Sequence, residues 1–137
     1  MKTINTIIIS ILFMGLIACN NAGSVNTKNE SKGYAPLKER NEFLAKSEDW
    51  PGVKNKVSEL FKNILADSND QKSRLMLAQV YMQEARITGD HPYYYPATLK
   101  ILEDIIKQDN NNFEALAFKA SVLLSLHHFK EALEVGN

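Results

Sequence analysis

From Leu37 to the end of the chain, apolar side chains recur at steps of three and four residues. This spacing puts them on one face of a helix, and no stretch shows the sustained alternation that is typical of a half-buried strand. The pattern therefore predicts one all-α domain over residues 34–137.

Breaks in the pattern divide this domain into helices. The predicted helices run from near Leu37 to Lys46, from Pro51 to Ala66, from Gln71 to Thr88, from Pro96 to the break at residues 109–112, from about Phe113 to Leu126, and onward from Phe129. Ser47 or Asp49 is expected to cap the second helix, which tolerates Pro51 in its first turn. Gly89 should end the third helix in the left-handed conformation, which leaves residues 89–95 as a predicted loop.

The helical segments repeat. Thr98 and Ala132 hold equivalent positions and lie 132 − 98 = 34 residues apart, which is the period of the tetratricopeptide repeat. Arg74 and Leu116, at equivalent points of two first helices, lie 116 − 74 = 42 residues apart. The eight additional residues are therefore expected between the two helices of the earlier repeat, in the segment around the three consecutive tyrosines.

The repeating segments resemble the tetratricopeptide repeat family over roughly residues 50–137, most closely in the last quarter. Residues on the family's packing positions are Arg74, Leu77, Ala78, Tyr81, Thr98, Leu102, Ile105, Leu116, Ala120, Phe129 and Ala132. The resemblance implies an α-solenoid of two to three stacked helix pairs, the earliest of them degenerate. Lys119, His127 and Arg74 depart from the pattern, since the family commonly has leucine, a turn glycine and a large apolar residue there. The last repeat stops partway through its second helix.

The same resemblance implies a concave groove that is lined by the first helices and suits an extended peptide or a partner helix. The residues transferred onto it as partner-binding candidates are Lys72, Gln79, Met82, Gln83, Arg86, Glu114, Ser121 and Ser125. Tyr93, Tyr94 and Tyr95 are further candidates, as a recognition loop. The alternative for these tyrosines is that their rings fold back and close a local core.

The first twenty residues show a different pattern. After Lys2 comes an apolar run too short to span a bilayer, as expected of a cleaved signal peptide over residues 1–18. Its end, Leu16-Ile17-Ala18-Cys19, resembles the lipobox of bacterial lipoproteins. The resemblance implies that Cys19 becomes the lipidated N-terminus, carrying acyl chains such as palmitate. Two or three such chains anchor a protein stably in a membrane.

Residues 19–33 are polar and lack the large apolar groups that would offset the entropy of ordering. They are expected to form a flexible tether with a reach of roughly 20 Å. Asn20 stands where some bacteria read an aspartate as a signal for inner-membrane retention. We therefore expect a protein of the bacterial cell envelope that is anchored to the outer membrane.

Composition narrows the functional classes. Sixteen basic and sixteen acidic residues cancel, and the absence of a basic cluster argues against a nucleic-acid partner. His127, His128 and Glu131 lie one turn apart, which would let a histidine and a carboxylate meet one metal ion, but two ligands do not make a metal site and nothing else in the sequence supplies a third. No phosphate-binding loop, nucleophile with a histidine partner, or spaced carboxylate pair is present, so we expect no cofactor and no enzymatic activity.

These observations predict a lipid-anchored module of the cell envelope that binds a protein or peptide through tetratricopeptide-like repeats. The alternative is an N-terminal fragment of a larger envelope protein whose enzymatic or ligand-binding part lies beyond residue 137. A binder of small molecules is disfavoured, because two or three repeats can hardly build a closed pocket.

Overall fold

Helices account for most of the molecule. The structure is a computed structural model and describes residues 33–136; Cys19, the predicted signal peptide and most of the predicted tether lie outside this range. Five α-helices form within it, with no β-strand among the described residues. Their bounds are α1 Trp50–Ala66, α2 Gln71–Thr88, α3 His91–Gln108, α4 Phe113–Ser125 and α5 Phe129–Gly136. The predicted all-α class is confirmed.

Consecutive helices pack against each other, so that α2 pairs with α3 and α4 pairs with α5. In addition, α1 packs on α2, α3 packs on α4, and α2 touches α4 directly. The core therefore runs through the stack as a continuous layer of buried side chains. Its fully enclosed members include Leu77, Tyr81, Tyr94, Ile101, Leu102, Ile105 and Val122.

Polar residues fix the helix starts. The Asp70 carboxylate accepts a hydrogen bond from the Ser73 amide at 2.9 Å. Hydrogen bonding to the Ser73 side chain and then to its amide lowers the pKa of Asp70. Asn112 accepts in the same way from Ala115 at 3.0 Å. Each cap satisfies a backbone donor that the first turn of a helix leaves without a partner.

The left-handed positions fix the ends of two helices. Gly89 follows α2 with φ of 72°, as predicted. His127, which stands at the turn glycine of the resemblance, has φ of 63°. A side chain with a Cβ is strained in this region, so the turn requires the conformation even where glycine is missing.

The predicted fourth helix is wrong at its start. The segment expected to form a loop is the first part of α3, which begins at His91 instead of Pro96. Pro92 lies in the first turn, where its missing amide is harmless. Pro96 lies inside the helix and removes one of its hydrogen bonds, and both prolines are exposed. Only Gly89 and Asp90 join α2 to α3. The eight additional residues that the sequence predicts between these two helices therefore lengthen α3 instead of forming a loop.

The predicted helix from Leu37 to Lys46 is also wrong. Residues 34–40 form neither helix nor strand, and only a single 3-10 turn, Leu44–Lys46, follows them. We call residues 34–40 the strap, because they lie along the α2–α3 hairpin and bind it through their backbone carbonyls. Tertiary hydrogen bonds here override a local helical pattern.

Candidate functional site

A groove lies between the first helices of the two hairpins, α2 and α4. It forms a depression of about 320 Å³ that is open to solvent. The residues that line it are Gln79, Met82, Gln83, Arg86, Phe118 and Ser121. Five of the eight groove residues expected from the sequence are thus brought to one place, from two helices that are distant in the chain.

The groove has an apolar floor and polar walls. Met82 is 7% exposed and belongs to the core, and Phe118 is partly buried against it. Gln79, Gln83 and Arg86 are exposed on α2. Two amide groups one turn apart supply both donors and acceptors, which is the set needed to bind an extended peptide backbone.

Three predicted groove residues do not line this cavity. Lys72 and Glu114 are exposed near the starts of α2 and α4. The Ser125 hydroxyl donates to the Ser121 carbonyl one turn earlier at 2.9 Å, so its hydrogen is used within the helix. The prediction that these three residues line the groove is therefore wrong for this cavity.

The three consecutive tyrosines do not form a recognition loop. They lie on α3, where Tyr94 is 1% and Tyr95 is 4% exposed. The rings of Tyr81 and Tyr94 are 5.5 Å apart, and Tyr93 meets Tyr94 edge to face at 5.1 Å. Packing is therefore the role that this geometry supports, as aromatic pairs in tilted and edge contacts favour the core.

Hydroxyl groups from this aromatic cluster bind the strap. Tyr81 donates to the Ala35 carbonyl at 2.5 Å and Tyr93 to the Pro36 carbonyl at 2.6 Å. The Tyr94 hydroxyl donates to the Lys38 carbonyl at a longer distance, 3.5 Å. Burial raises the pKa of Tyr94 to about 12 and raises that of Tyr81 further, so both hydroxyls keep their hydrogens at neutral pH.

A buried ion pair fastens the end of the strap. The Arg40 guanidinium donates to both carboxylate oxygens of Glu84, at 2.6 and 2.9 Å, and both side chains are almost fully enclosed. It also donates to both oxygens of Asp49, at 3.0 and 3.1 Å, and lies over the Trp50 ring at 4.6 Å. Hydrogen bonds from Arg40 lower the pKa of Asp49 to about 2.

This use of Asp49 explains why it does not cap α1 as predicted. It precedes the helix, but its side chain makes no capping bond. Ser47 is also engaged elsewhere, since it accepts from Arg40 at 2.9 Å and donates to the Leu44 carbonyl at 2.7 Å. Arg40 therefore binds the side chains of both residues that were predicted to cap α1.

Sequence reasoning missed Arg40 and Glu84. Only Glu84 left a signal, because it stands three residues after Tyr81 and directly before Ala85, on the apolar face of α2. A charge on a buried face needs a partner of opposite charge. Nothing in the local pattern identifies Arg40 as that partner, 44 residues earlier in the chain.

The histidines near the second hairpin turn are accounted for by local contacts. His128 Nδ1 lies 3.1 Å from the Glu131 carboxylate, and the His127 ring meets the Phe129 ring at 5.7 Å. Across residues 33–136, no three histidine, cysteine or carboxylate side chains are grouped as a metal site would require.

Within the described part of the chain, no helix has the length and apolar character to cross a membrane. Comparison of the chain with protein-family models, with curated proteins and with solved structures finds no match in any of the three.

Proposed function

We propose that this protein is a lipid-anchored interaction module of the bacterial cell envelope, built from tetratricopeptide-like repeats and binding a protein partner through the groove between α2 and α4. The observation that carries the proposal is the groove itself. Five residues that the repeat pattern selects as partner contacts line one cavity, with an apolar floor beneath exposed amide groups.

The repeat assignment has support of its own. On the first hairpin, the packing positions expected from the repeat are buried, among them Leu77, Ala78 and Thr98. Ala132, which lies 34 residues after Thr98, is also buried. The left-handed backbone at His127 occupies the place of the repeat's turn glycine. These features favour a solenoid of stacked hairpins.

The membrane anchor rests on the lipobox-like Leu16-Ile17-Ala18-Cys19. An anchored module gains effective concentration for partners at the same surface, and this raises avidity without new contacts. Metabolic labelling with a palmitate analogue is expected to mark the protein, and Cys19→Ser is expected to abolish the label. Label that survives this substitution contradicts the anchor.

Site-directed photocrosslinking tests the groove. A photoreactive amino acid replaces Gln83 in the full chain, and a matched control carries it at Lys62, an exposed residue of α1. In intact envelopes we expect discrete protein adducts from position 83 and none of the same mass from position 62. Equal adduct patterns at the two positions, or none at either, would count against a groove-binding partner.

A further inference from the structure

We propose that the outer side of the α4–α5 hairpin, which we call the end face, is an interface between two copies of this chain in an antiparallel two-fold pair. The end face is formed by four large apolar side chains, Phe113, Leu124, Phe129 and Leu133. None of the four lines the groove between α2 and α4, so this is a second surface that does not depend on the proposed function. Its position, area and charges point to a second copy.

The end face lies on the side of α4 that points away from the core. At about 3.6 residues per turn, Phe113 and Leu124 lie on one side of this helix, whereas the fully buried Val122 lies on the opposite side. Ala117 and Ala120 lie between the two exposed residues, and neither is buried. An apolar strip therefore runs along α4 without a neighbour to cover it among the described residues.

The strip continues on α5, where Phe129 and Leu133 lie one turn apart. Phe129 corresponds to Tyr95 of the first hairpin, since 129 − 95 = 34, and Tyr95 is buried. Leu124 corresponds to Met82, since 124 − 82 = 42, and Met82 is buried beside α4. The second hairpin thus exposes positions that the first hairpin buries.

The area of the end face is that of a small interface. Its four large side chains are between 51% and 83% exposed. A phenylalanine presents about 200 Å² when it is exposed, so the four together present roughly 500 Å² of apolar surface. Pairing of two copies removes about 1,000 Å² from water, which reaches the lower limit of specific interfaces. An interface of this size supports a weak pair that dissociates on dilution.

A two-fold pair covers the end face better than head-to-tail stacking does. Stacking would place the end face of one copy against the other end of the next copy, which is formed by α1. The exposed residues of α1 are mostly polar, among them Lys54, Lys56, Glu59 and Lys62. In a two-fold pair, by contrast, each end face covers the other and the assembly closes at two copies.

The charges beside the end face complement each other in such a pair. Lys130 and Glu134 are exposed one turn apart on α5, and neither forms an ion pair within residues 33–136. A two-fold axis that crosses α5 places the start of this helix beside the end of its copy. Lys130 of each copy then meets Glu134 of the other, and these two attractive pairs fix the register of the apolar contact.

Photocrosslinking of the full chain in intact cells tests the pairing, because it captures weak pairs without dilution. A photoreactive apolar amino acid replaces Leu133, and a matched control carries it at Phe43, which is exposed but lies outside the end face. We expect an adduct of twice the mass of the chain from position 133 and none from position 43. Lys130→Glu or Glu134→Lys alone should reduce this adduct about fivefold, because each leaves two like-charge pairs.

Charge exchange between two chains identifies the contact. A chain with Lys130→Glu and a differently tagged chain with Glu134→Lys are made in the same cells. They should crosslink to each other as strongly as unsubstituted chains do, because every charge pair across the interface is again attractive. Both substituted residues are exposed, so the helices stay intact, and a role within one chain would not produce this rescue.

The inference is overturned if position 133 gives no adduct of twice the mass, if position 43 gives it equally, or if a ladder of larger adducts forms. A mixed pair that does not recover overturns it as well. An adduct of position 133 with a different protein alone would assign the end face to another partner and overturn the two-fold pair. None of these outcomes depends on the crosslinks from position 83, which test the groove.

Discussion

The α2–α3 and α4–α5 hairpins share a pattern of apolar positions but differ in how fully they are covered. The first hairpin packs against α1 and the strap as well as α4, and Tyr81, Leu102 and Ile105 have no exposed surface. On the second hairpin Phe129 is 62% and Leu133 is 65% exposed. The apolar pattern of a helix thus specifies which side chains can be buried, whereas neighbouring elements determine which ones are.

Matched leucine truncations should give the largest contrast. Leu102→Ala should lower the free energy of unfolding by about 4 kcal/mol, because it removes an enclosed side chain and leaves a cavity. Leu133→Ala should change it by less than about 0.5 kcal/mol, because that side chain is already largely in solvent. Urea unfolding of the full chain in mild detergent, followed by circular dichroism, measures both. Equal losses would mean that the two hairpins are equally covered.

Breaking the buried ion pair should have the next largest effect. Glu84→Ala leaves the Arg40 guanidinium enclosed with only Asp49 as a charged partner, and should cost about 3 kcal/mol. The double variant Arg40→Met, Glu84→Leu removes both charges and should lose less than Glu84→Ala alone.

The sole tryptophan, Trp50, lies under Arg40 and reports this loss by fluorescence. Its emission should change with Glu84→Ala before the helices unfold. A double variant that is less stable than the single one would contradict the assignment of the loss to an uncompensated charge.

Removing the hydrogen bond between Tyr81 and the strap should lower the free energy of unfolding by less than breaking the ion pair does. Tyr81→Phe keeps the ring and removes the bond to the Ala35 carbonyl, which should cost about 1 kcal/mol. Tyr95→Phe is the control, because its hydroxyl makes no hydrogen bond within the described residues, and we expect almost no change. Amide hydrogen exchange near residue 35 should be faster in Tyr81→Phe than in Tyr95→Phe. Equal exchange rates in the two variants would exclude the Tyr81–Ala35 hydrogen bond as the cause.

The two left-handed turns should respond in opposite directions. Gly89→Ala puts a Cβ at φ of 72° and should cost about 1 kcal/mol. His127→Gly relieves the same strain at φ of 63° but makes the unfolded chain more flexible, so a gain of about 0.5 kcal/mol is expected. Thermal unfolding measures both shifts, and a loss of stability in His127→Gly would show that the imidazole contact with Phe129 outweighs the strain.

The smallest expected effect is a pH dependence of stability from Asp49, the exposed carboxylate that binds Arg40 at the end of the strap. The pKa of Asp49 is lowered from 3.8 to about 2 in the folded protein. The unfolded chain therefore binds the proton first, so the stabilisation is complete above about pH 4 and is lost as the pH falls toward 2. Asp49→Asn should flatten this part of a melting-temperature profile monitored at Trp50, and an unchanged slope would contradict the contribution of Asp49.

The sequence alone determined the features that depend on near neighbours in the chain. The bounds of α2, the cap at Asp70 and the left-handed Gly89 all follow from residues within one or two turns. The groove residues on α2 also share a face by helical spacing alone, which is why most of the predicted contacts meet in one cavity.

Only the tertiary structure decided the strap and the start of α3. Residues 37–46 have a helical pattern, but a short isolated helix is marginal in water, and here Arg40 instead binds Glu84 and Asp49. The prolines at 92 and 96 suggest a loop, yet burying Tyr94 and Tyr95 extends the helix through them. Both outcomes depend on contacts between residues more than 40 positions apart, which no local pattern encodes.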